Sequence, residues 1–549
     1  MRKGLSTVSA AERKLVAWHL YVAILSLAIG ASLGPLQALE HAGVNLYGYL
    51  PFLKTYYQGL SLHGVLNVLV WTTFFICGFL LFVTAHGLRR PLYSLKLGWV
   101  TFWLMVVGLL GAAWALVTNN ATVLFTSYPP LKAHPLYYLG LTLVVVGTWL
   151  LSANVFLTWR NWRRDNPEAR TPLAPFGAMV TLVMWDIATL GIAAEFLFQL
   201  IPMSLGLTAG ADPLLSRALF WFTGHPIVYF WLLPAYISWY AMVPDQAGGR
   251  LFSDPLARLA LLLFIPLSVP VGFHHQFTDP GISQGWKLVH GLLTFAVFFP
   301  SALTAFTVLA SLENAGRARG GKGWLGWVTR LPWQDPSVAA QVLAMVLFAF
   351  GGISGLVNAS YNLNLMVHNT AWVPGHFHLT VGSGVTLTFM GISYWLVPYL
   401  TGRRLWSPKV ALTHAWLWFI GMLVFGRGMH LLGLLGAPRR TMLGAASYAA
   451  LNPEWRVPAA MVAVGGTILA VSLVLYLVQM AMTIWFSRER AEVRVPEAQA
   501  VSGPEHAPFV FEQWRYWVGA ALVLTAVAYV PSIVQLIARL NPVPGLRVW

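Results

Sequence analysis

The sequence predicts an all-α polytopic membrane protein of about thirteen transmembrane helices, and three observations carry that prediction. Of its 549 residues 57% are hydrophobic, only 9% are charged, and the mean hydropathy is +0.66. Apolar runs of roughly 20 residues, the length that crosses a bilayer, recur at 15–38, 62–86, 98–118, 136–159, 176–202, 216–243, 256–275, 286–312, 337–358, 371–399, 408–434, 457–486 and 514–538. Basic residues alternate between loops, as the positive-inside rule requires.

Taken in order, each run has its own signature. The first follows a polar stretch with no cleavable-signal pattern, so it is expected to remain as an anchor. The second begins LHGVLN (62–67) and contains the single cysteine, Cys77. The fifth holds an acid, Asp186, inside hydrocarbon. The sixth carries WFTGHPIVY (221–229), the seventh closes on GFHHQF (272–277), and the eighth bears Ser301, Thr304 and Thr307. The tenth opens within HNTAWVPGHFH (368–378). The stretches 313–335 and 487–512 read as loops, and so little chain remains that 1–549 reads as one transmembrane domain.

With a cytoplasmic N-terminus, 24 of the 34 Lys and Arg residues fall on the inner side and the C-terminus lies outside. The exception is the loop after the eleventh run, where Arg427, Arg439, Arg440 and Arg456 crowd the outer face and suggest an anionic partner. The net charge of +16 thus reflects topology and attraction to anionic lipid, and no nucleic-acid module is recognisable. One cysteine excludes a disulfide framework and any cysteine-held iron–sulfur or dinuclear copper site in this chain.

Six histidines, His63, His225, His274, His275, His376 and His378, fall near one face of the bilayer when depth is counted along the runs. His225 lies deepest, roughly 14 Å below the outer end at 1.5 Å per residue. A polar ring in hydrocarbon is costly unless hydrogen-bonded or coordinated, and imidazole is the usual ligand for copper and haem iron. His376 and His378 are two residues apart, about 200° around a helix, so they serve two centres on opposite sides of it. His63 pairs with one of them to give a six-coordinate iron, and the other leaves its iron an open face; spacing does not say which is which. His225, His274 and His275 form a three-imidazole set suited to copper. For His19, His86, His290, His414 and His430 an interfacial or hydrogen-bonded role is expected instead.

The strings LHGVLN, SYPPL (127–131), WFTGHPIVY, GFHHQF and HNTAWVPGHFH resemble subunit I of the haem-copper oxygen reductases over essentially the whole chain, with the closest resemblance to the B family, the ba-type cytochrome c oxidases. The resemblance implies that His63 and His378 ligate a low-spin haem b and that His376 ligates a high-spin haem of a type. It also implies that His225, His274 and His275 hold the copper known as CuB. Tyr229, one turn after His225, fits a core tyrosine with a satisfied hydroxyl. The resemblance makes it the tyrosine cross-linked to that histidine, a source of an electron and a proton when the O–O bond breaks. Nitric oxide reductases of similar fold place a glutamate there, so oxygen reduction is preferred.

Tyr236 and Tyr240 continue the inward face from Tyr229, and with Ser301, Thr304 and Thr307 they resemble the B-family K-type proton path. Hydroxyls that merely back-bond within membrane helices would look the same. A-family oxidases have a glutamate where Ile227 stands and a lysine in the eighth helix, so their aspartate-fed path is not indicated. Asn364 stands where the nearest relatives carry an aspartate close to a haem propionate and Asp186 is an unmatched acid, two departures from the B-family pattern that bear on the proton-loading site. Arg439 and Arg440, with His368 nearby, are expected to bind haem propionates.

These readings converge on a terminal respiratory oxidase that reduces O2 to water with electrons from cytochrome c, coupled to proton uptake and pumping, in a prokaryotic inner membrane. A second subunit must supply a dinuclear copper, and a small single-helix subunit is a further expected partner alongside membrane lipid. The alternatives are a nitric oxide reductase and, from another class, a membrane transporter, which would have no use for paired histidines at one depth.

Overall fold

The computed structural model describes residues 8–442 and 448–548. Arg2 and Lys3 of the first inner segment lie outside the described residues. The chain is overwhelmingly helical, and among the described residues eleven helices are long and apolar enough to cross a membrane. They are α1 (Ala10–His41), α2 (Tyr56–Gly87), α3 (Leu95–Val117), α4 (Pro135–Asp165), α5 (Leu173–Leu205), α8 (Gln284–Ala318), α9 (Pro336–Ala359), α10 (Trp372–Thr401), α11 (Pro408–Leu434), α12 (Pro453–Phe486) and α13 (Trp514–Ile537). The two remaining predicted spans are present in altered form. In α6, Pro213–Gly224 and Pro226–Ala241 are separated at His225, and α7 is the short helix Asp254–Ser268.

Helix starts were written locally. Asp212, Asp335 and Ser407 stand directly before Pro213, Pro336 and Pro408, and their side chains accept from Leu215, Ser337 and Val410 backbone N–H groups at 2.7, 2.8 and 3.3 Å. A capping oxygen followed by proline at the first helical position satisfies one orphan donor and removes another. Ser9 and Glu12 form a capping box at the start of α1.

Burial separates centre from rim. In α2 and α10, 89% of the most apolar window is buried, against 33% in α8 and α13. The central pair carries His63, His376 and His378. Each of these two helices widens into a π-helical stretch just after its histidines, at Val65–Trp71 and Thr380–Val385, a distortion often found at functional sites.

The structure corrects two details. The seventh run does not remain helical to residue 275; the helix ends at Ser268, and His274 and His275 sit in a separate 3-10 turn, Gly272–Gln276. Pro270, which has no N–H to continue the ladder, enforces that break. The second helix starts at Tyr56 rather than at residue 62, because Thr55 caps α2 through the Gln58 N–H at 3.1 Å, so His63 lies about two turns in. On the inner side, Leu251–Ser253 pairs in parallel with Ala500–Ser502, so the 487–512 stretch is tied to the bundle. Buried Arg258 joins Asp254, Glu512 and the Thr171 carbonyl there.

Candidate metal centres

The six histidines all line one cavity of about 970 Å³, at the upper end of the roughly 300–1,000 Å³ typical of ligand sites. His63 and His378 face each other with ring planes 14° apart and centroids 6.2 Å apart. A metal bound at about 2 Å by each ring requires very nearly that separation, since each nitrogen lies roughly 1 Å from its own ring centre. The Nδ1 of His63 donates to the Gly30 carbonyl at 2.9 Å and that of His378 to the Pro374 carbonyl at 2.7 Å. Both rings are therefore held as the tautomer with Nε2 free to ligate. Gly34 allows the approach, because a Cβ there would stand 3.2 Å from His63 Cε1.

His376 leaves the opposite side of α10. Its Nδ1 donates to the Gly351 carbonyl at 2.9 Å, with Ser354 Oγ at 3.0 Å. Its ring presses on Gly355, where a Cβ would fall 2.8 Å from Cε1. The two-residue spacing thus separates the rings as expected.

Across the cavity, ligand nitrogens of His225, His274 and His275 lie within 4.8 Å of one another, a group able to hold a metal ion. His225 Nδ1 and His275 Nε2 are 3.4 Å apart, compatible with bonds of about 2 Å to one ion between them. His225 sits where Pro226 interrupts α6. His274 Nδ1 donates to the Val271 carbonyl at 2.6 Å, and the Trp221 ring stacks on His275 at 3.8 Å and 7°. The Tyr229 ring lies 4.9 Å from that of His225, and the buried His225 Nε2 has no hydrogen-bond partner among the described residues. A three-imidazole set beside a histidine-bearing helix suits borderline-soft metals such as copper, with a coordination position left for substrate.

In the outer layer, residues near 370 pair with residues near 438, since Ala371 N–H donates to Ala437 O at 2.9 Å and Arg439 N–H to Asn369 O at 3.0 Å. This brings His368, Arg439 and Arg440 to the cavity wall. Arg439 donates to Asn369 Oδ1 at 2.9 Å, and Arg440 lies 5.1 Å over the Phe125 ring. Neither guanidinium pairs with a carboxylate among the described residues. Burial, reinforced by Arg440, pulls Arg439 down to about 9, and burial also lowers Arg440. Burial and then Arg439 hold His368 down to about 4, so it is neutral near pH 7. Two adjacent half-buried cations with no counter-ion form a ready anion site. Arg427 and Arg456 point to the exterior instead.

Inward from Tyr229, Tyr236 donates to Ser301 Oγ at 3.2 Å and Tyr240 to Thr304 Oγ1 at 2.6 Å. Phe264 packs against both Tyr229 and Tyr236, with centroids at 5.0 and 5.9 Å. Thr307 is not joined to these tyrosines; its hydroxyl donates to the Leu303 carbonyl at 2.8 Å. Asp186 accepts from Ser152 at 2.8 Å, away from the histidines. Asn364 accepts from His368 Nδ1 at 3.1 Å.

Comparison with known proteins shows the family. The family described as cytochrome c and quinol oxidase polypeptide I matches residues 14–468. The chain belongs to that family. It is 47% identical over 551 residues to cytochrome c oxidase subunit 1 of Thermus thermophilus, covering 98% of this chain and 97% of that protein. It is 27% identical to cytochrome c oxidase polypeptide 1 of Halobacterium salinarum over 80% of this chain and 73% of that one. Among solved structures, a chain of a heme-copper terminal oxidase dimer superposes with a TM-score of 0.92 at 40% identity, covering 98% of this chain and 96% of that one. This B-family subunit I is an integral membrane oxidoreductase, the catalytic subunit of a terminal cytochrome c oxidase.

Sequence reading missed several supporting residues. Gly30, Gly351, Ser354, Tyr529 and Thr294, whose hydroxyl lies 3.0 Å from His274 Nδ1, come from distant parts of the chain, and no local pattern marks them; Trp221 lies inside WFTGHPIVY, but its stacking on His275 is not legible there. His290 was recognisable only as a hydrogen-bonded histidine.

Proposed function

We propose that the His63–His378 pair holds a low-spin haem b, that His376 holds a high-spin haem of a type, and that His225, His274 and His275 hold CuB. When bound, these groups supply the redox chemistry that takes O2 to water with electrons from cytochrome c. The observation that carries the reading is the placement of two opposed imidazole sites on either side of α10, with a three-imidazole set facing one of them.

The protein's own residues do the rest. Backbone carbonyls at Gly30, Pro374, Gly351 and Val271 fix four rings as Nδ1–H tautomers, which presents a basic Nε2 to each centre. Tyr229, whose ring lies 4.9 Å from that of His225, would be joined to the unpartnered nitrogen of that histidine and would supply one electron and one proton to the dioxygen being cleaved. Arg439 and Arg440 hold the haem propionates by charge-assisted hydrogen bonds, with neutral His368 beside them. From the inner side outward, Thr307, then through intervening water Thr304 and Tyr240, and then Ser301 and Tyr236 hand protons along α8 and α6 toward Tyr229. Uptake from the cytoplasm, with the N-terminus inside and the C-terminus outside a prokaryotic inner membrane, couples this to pumping. A subunit II with dinuclear copper delivers electrons, and a small single-helix subunit completes the complex.

Pyridine haemochrome and elemental analysis of the purified oxidase test the assignment. Two haems and one copper per copy of this chain are expected; a single haem in fully active enzyme overturns it.

A further inference from the structure

The copper-side ligands His274 and His275 stand on non-helical backbone inside the membrane, where every exposed N–H and C=O must find a partner within the protein. Two side chains from rim helices satisfy that backbone. Tyr529, on α13, is 1% exposed. Its phenol accepts from the Gly272 N–H at 2.9 Å and donates to the Val269 carbonyl at 3.1 Å, bridging the break between α7 and the 3-10 turn.

His290, on α8, accepts from the Phe273 N–H at 3.2 Å through Nδ1 and donates from Nε2 to the Ala528 carbonyl at 3.1 Å. The three rings close on one another: Phe273 stacks on His290 at 4.2 Å and lies 4.9 Å from Tyr529. The fit leaves no slack at Gly272, where a Cβ would stand 2.1 Å from the Trp221 carbonyl and 2.4 Å from the Tyr529 hydroxyl. Trp221 is also the residue stacked on His275. The turn is therefore gripped between α6, α8 and α13, immediately before its ligands.

We infer that Tyr529 and His290 are positioning residues that lock the turn Gly272–Gln276 in the conformation needed to hold copper, so that α13 acts as part of the metal centre's frame. The inference rests on the assignment of His225, His274 and His275 to copper. α13 lies beyond residues 14–468 that the family model matches, so the frame draws on a helix outside the segment that carries the six histidines. A tyrosine that only capped backbone would stabilise the fold without tuning the metal.

The test uses the oxidase complex with Tyr529→Phe, His290→Leu and His290→Gln, the last of which retains both an acceptor and a donor. The low-spin haem band serves as the control for folding. Amide exchange across 269–276 in copper-depleted complex is expected to quicken by roughly tenfold or more in Tyr529→Phe, which removes two buried hydrogen bonds. Copper retention against a chelator should fall by about 10-fold or more, the usual cost of losing an outer-shell partner. The infrared stretch of carbon monoxide on copper should shift or broaden. His290→Leu should match it, and His290→Gln should restore most of both signals.

Faster exchange with wild-type copper retention and an unmoved stretch would reduce Tyr529 to a fold-stabilising cap. Unchanged exchange would remove the clamp altogether, and failure of Tyr529→Phe to fold leaves the histidine pair to decide. Wild-type complex that binds no copper would sink the copper assignment itself, while the exchange measurement would still judge the clamp.

Discussion

The two sides of α10 solve the same problem by different means. On the His378 side, both ligands ride on continuous, deeply buried helices and take their orientation from carbonyls at Gly30 and Pro374. On the far side, His225 stands at a helix break and His274 and His275 on a 3-10 turn, with rings and hydroxyls from three other helices around them. Helical backbone is self-satisfied in a membrane, so a helix-borne ligand needs only a tautomer-fixing partner. A ligand on irregular backbone needs a frame. The gain is convergence: three imidazoles meet within 4.8 Å, which no two straight helices would allow adjacent residues to reach.

The most severe test separates the sides outright. His378→Ala is expected to abolish the low-spin haem band and lower turnover by more than about 100-fold, beyond what outer-shell losses cost. The far side should still bind carbon monoxide if the helix persists. Loss of carbon monoxide binding with an intact low-spin band would mean that the two faces of α10 are assigned in reverse.

Tyr229→Phe comes next, because it touches only the far side. Both haems and copper should be retained while oxygen reduction falls by about 100-fold or more, within the range of a catalytic proton donor. Denatured wild-type peptide should show His225 and Tyr229 joined covalently. Near-normal turnover in the fully metallated variant would return Tyr229 to the role of a packed core tyrosine.

Two glycines compare the sides more gently. Gly355→Ala places a Cβ 2.8 Å from His376, whereas Gly34→Ala places one 3.2 Å from His63. Overpacking costs about 1–3 kcal/mol, so Gly355→Ala should shift the high-spin haem spectrum and leave the low-spin band alone. Gly34→Ala should do the reverse and by less. Equal shifts of both bands in either variant would contradict two separate pockets.

The contrast also explains what was legible in the sequence. Spans, depth and the opposed pair His376 and His378 follow from hydropathy and helical periodicity, and these are properties of regular helices. Helix boundaries near the site did not follow, because Pro226 and Pro270 break runs that hydropathy reads as continuous. Nor did the frame: Gly30 lies 33 residues from His63 and Tyr529 lies 257 from Gly272, distances that only tertiary packing closes. Thr307, aligned by spacing with Thr304, bonds its own helix instead, since a membrane hydroxyl with no neighbour turns back to the i−4 carbonyl.

The smallest expected effect asks whether the far side alone is supplied with protons. Thr304 accepts from Tyr240 at 2.6 Å and donates to the Pro300 carbonyl at 2.8 Å, so its hydroxyl is a junction between α6 and α8. Thr304→Val nearly conserves volume and removes only that junction. One hydrogen bond is worth about 0.5–1.5 kcal/mol, or roughly 2- to 12-fold in rate, so turnover and cytoplasmic proton uptake should slow by about that factor. Both haem bands and carbon monoxide binding should stay as they are, since no ligand moves. Electron transfer into the low-spin haem, followed by flash photolysis, should also keep its wild-type rate, because no proton need reach that side through Thr304. A slowed electron-entry step would show the junction serving both sides of α10, and a wild-type turnover would make Thr304 a packing residue.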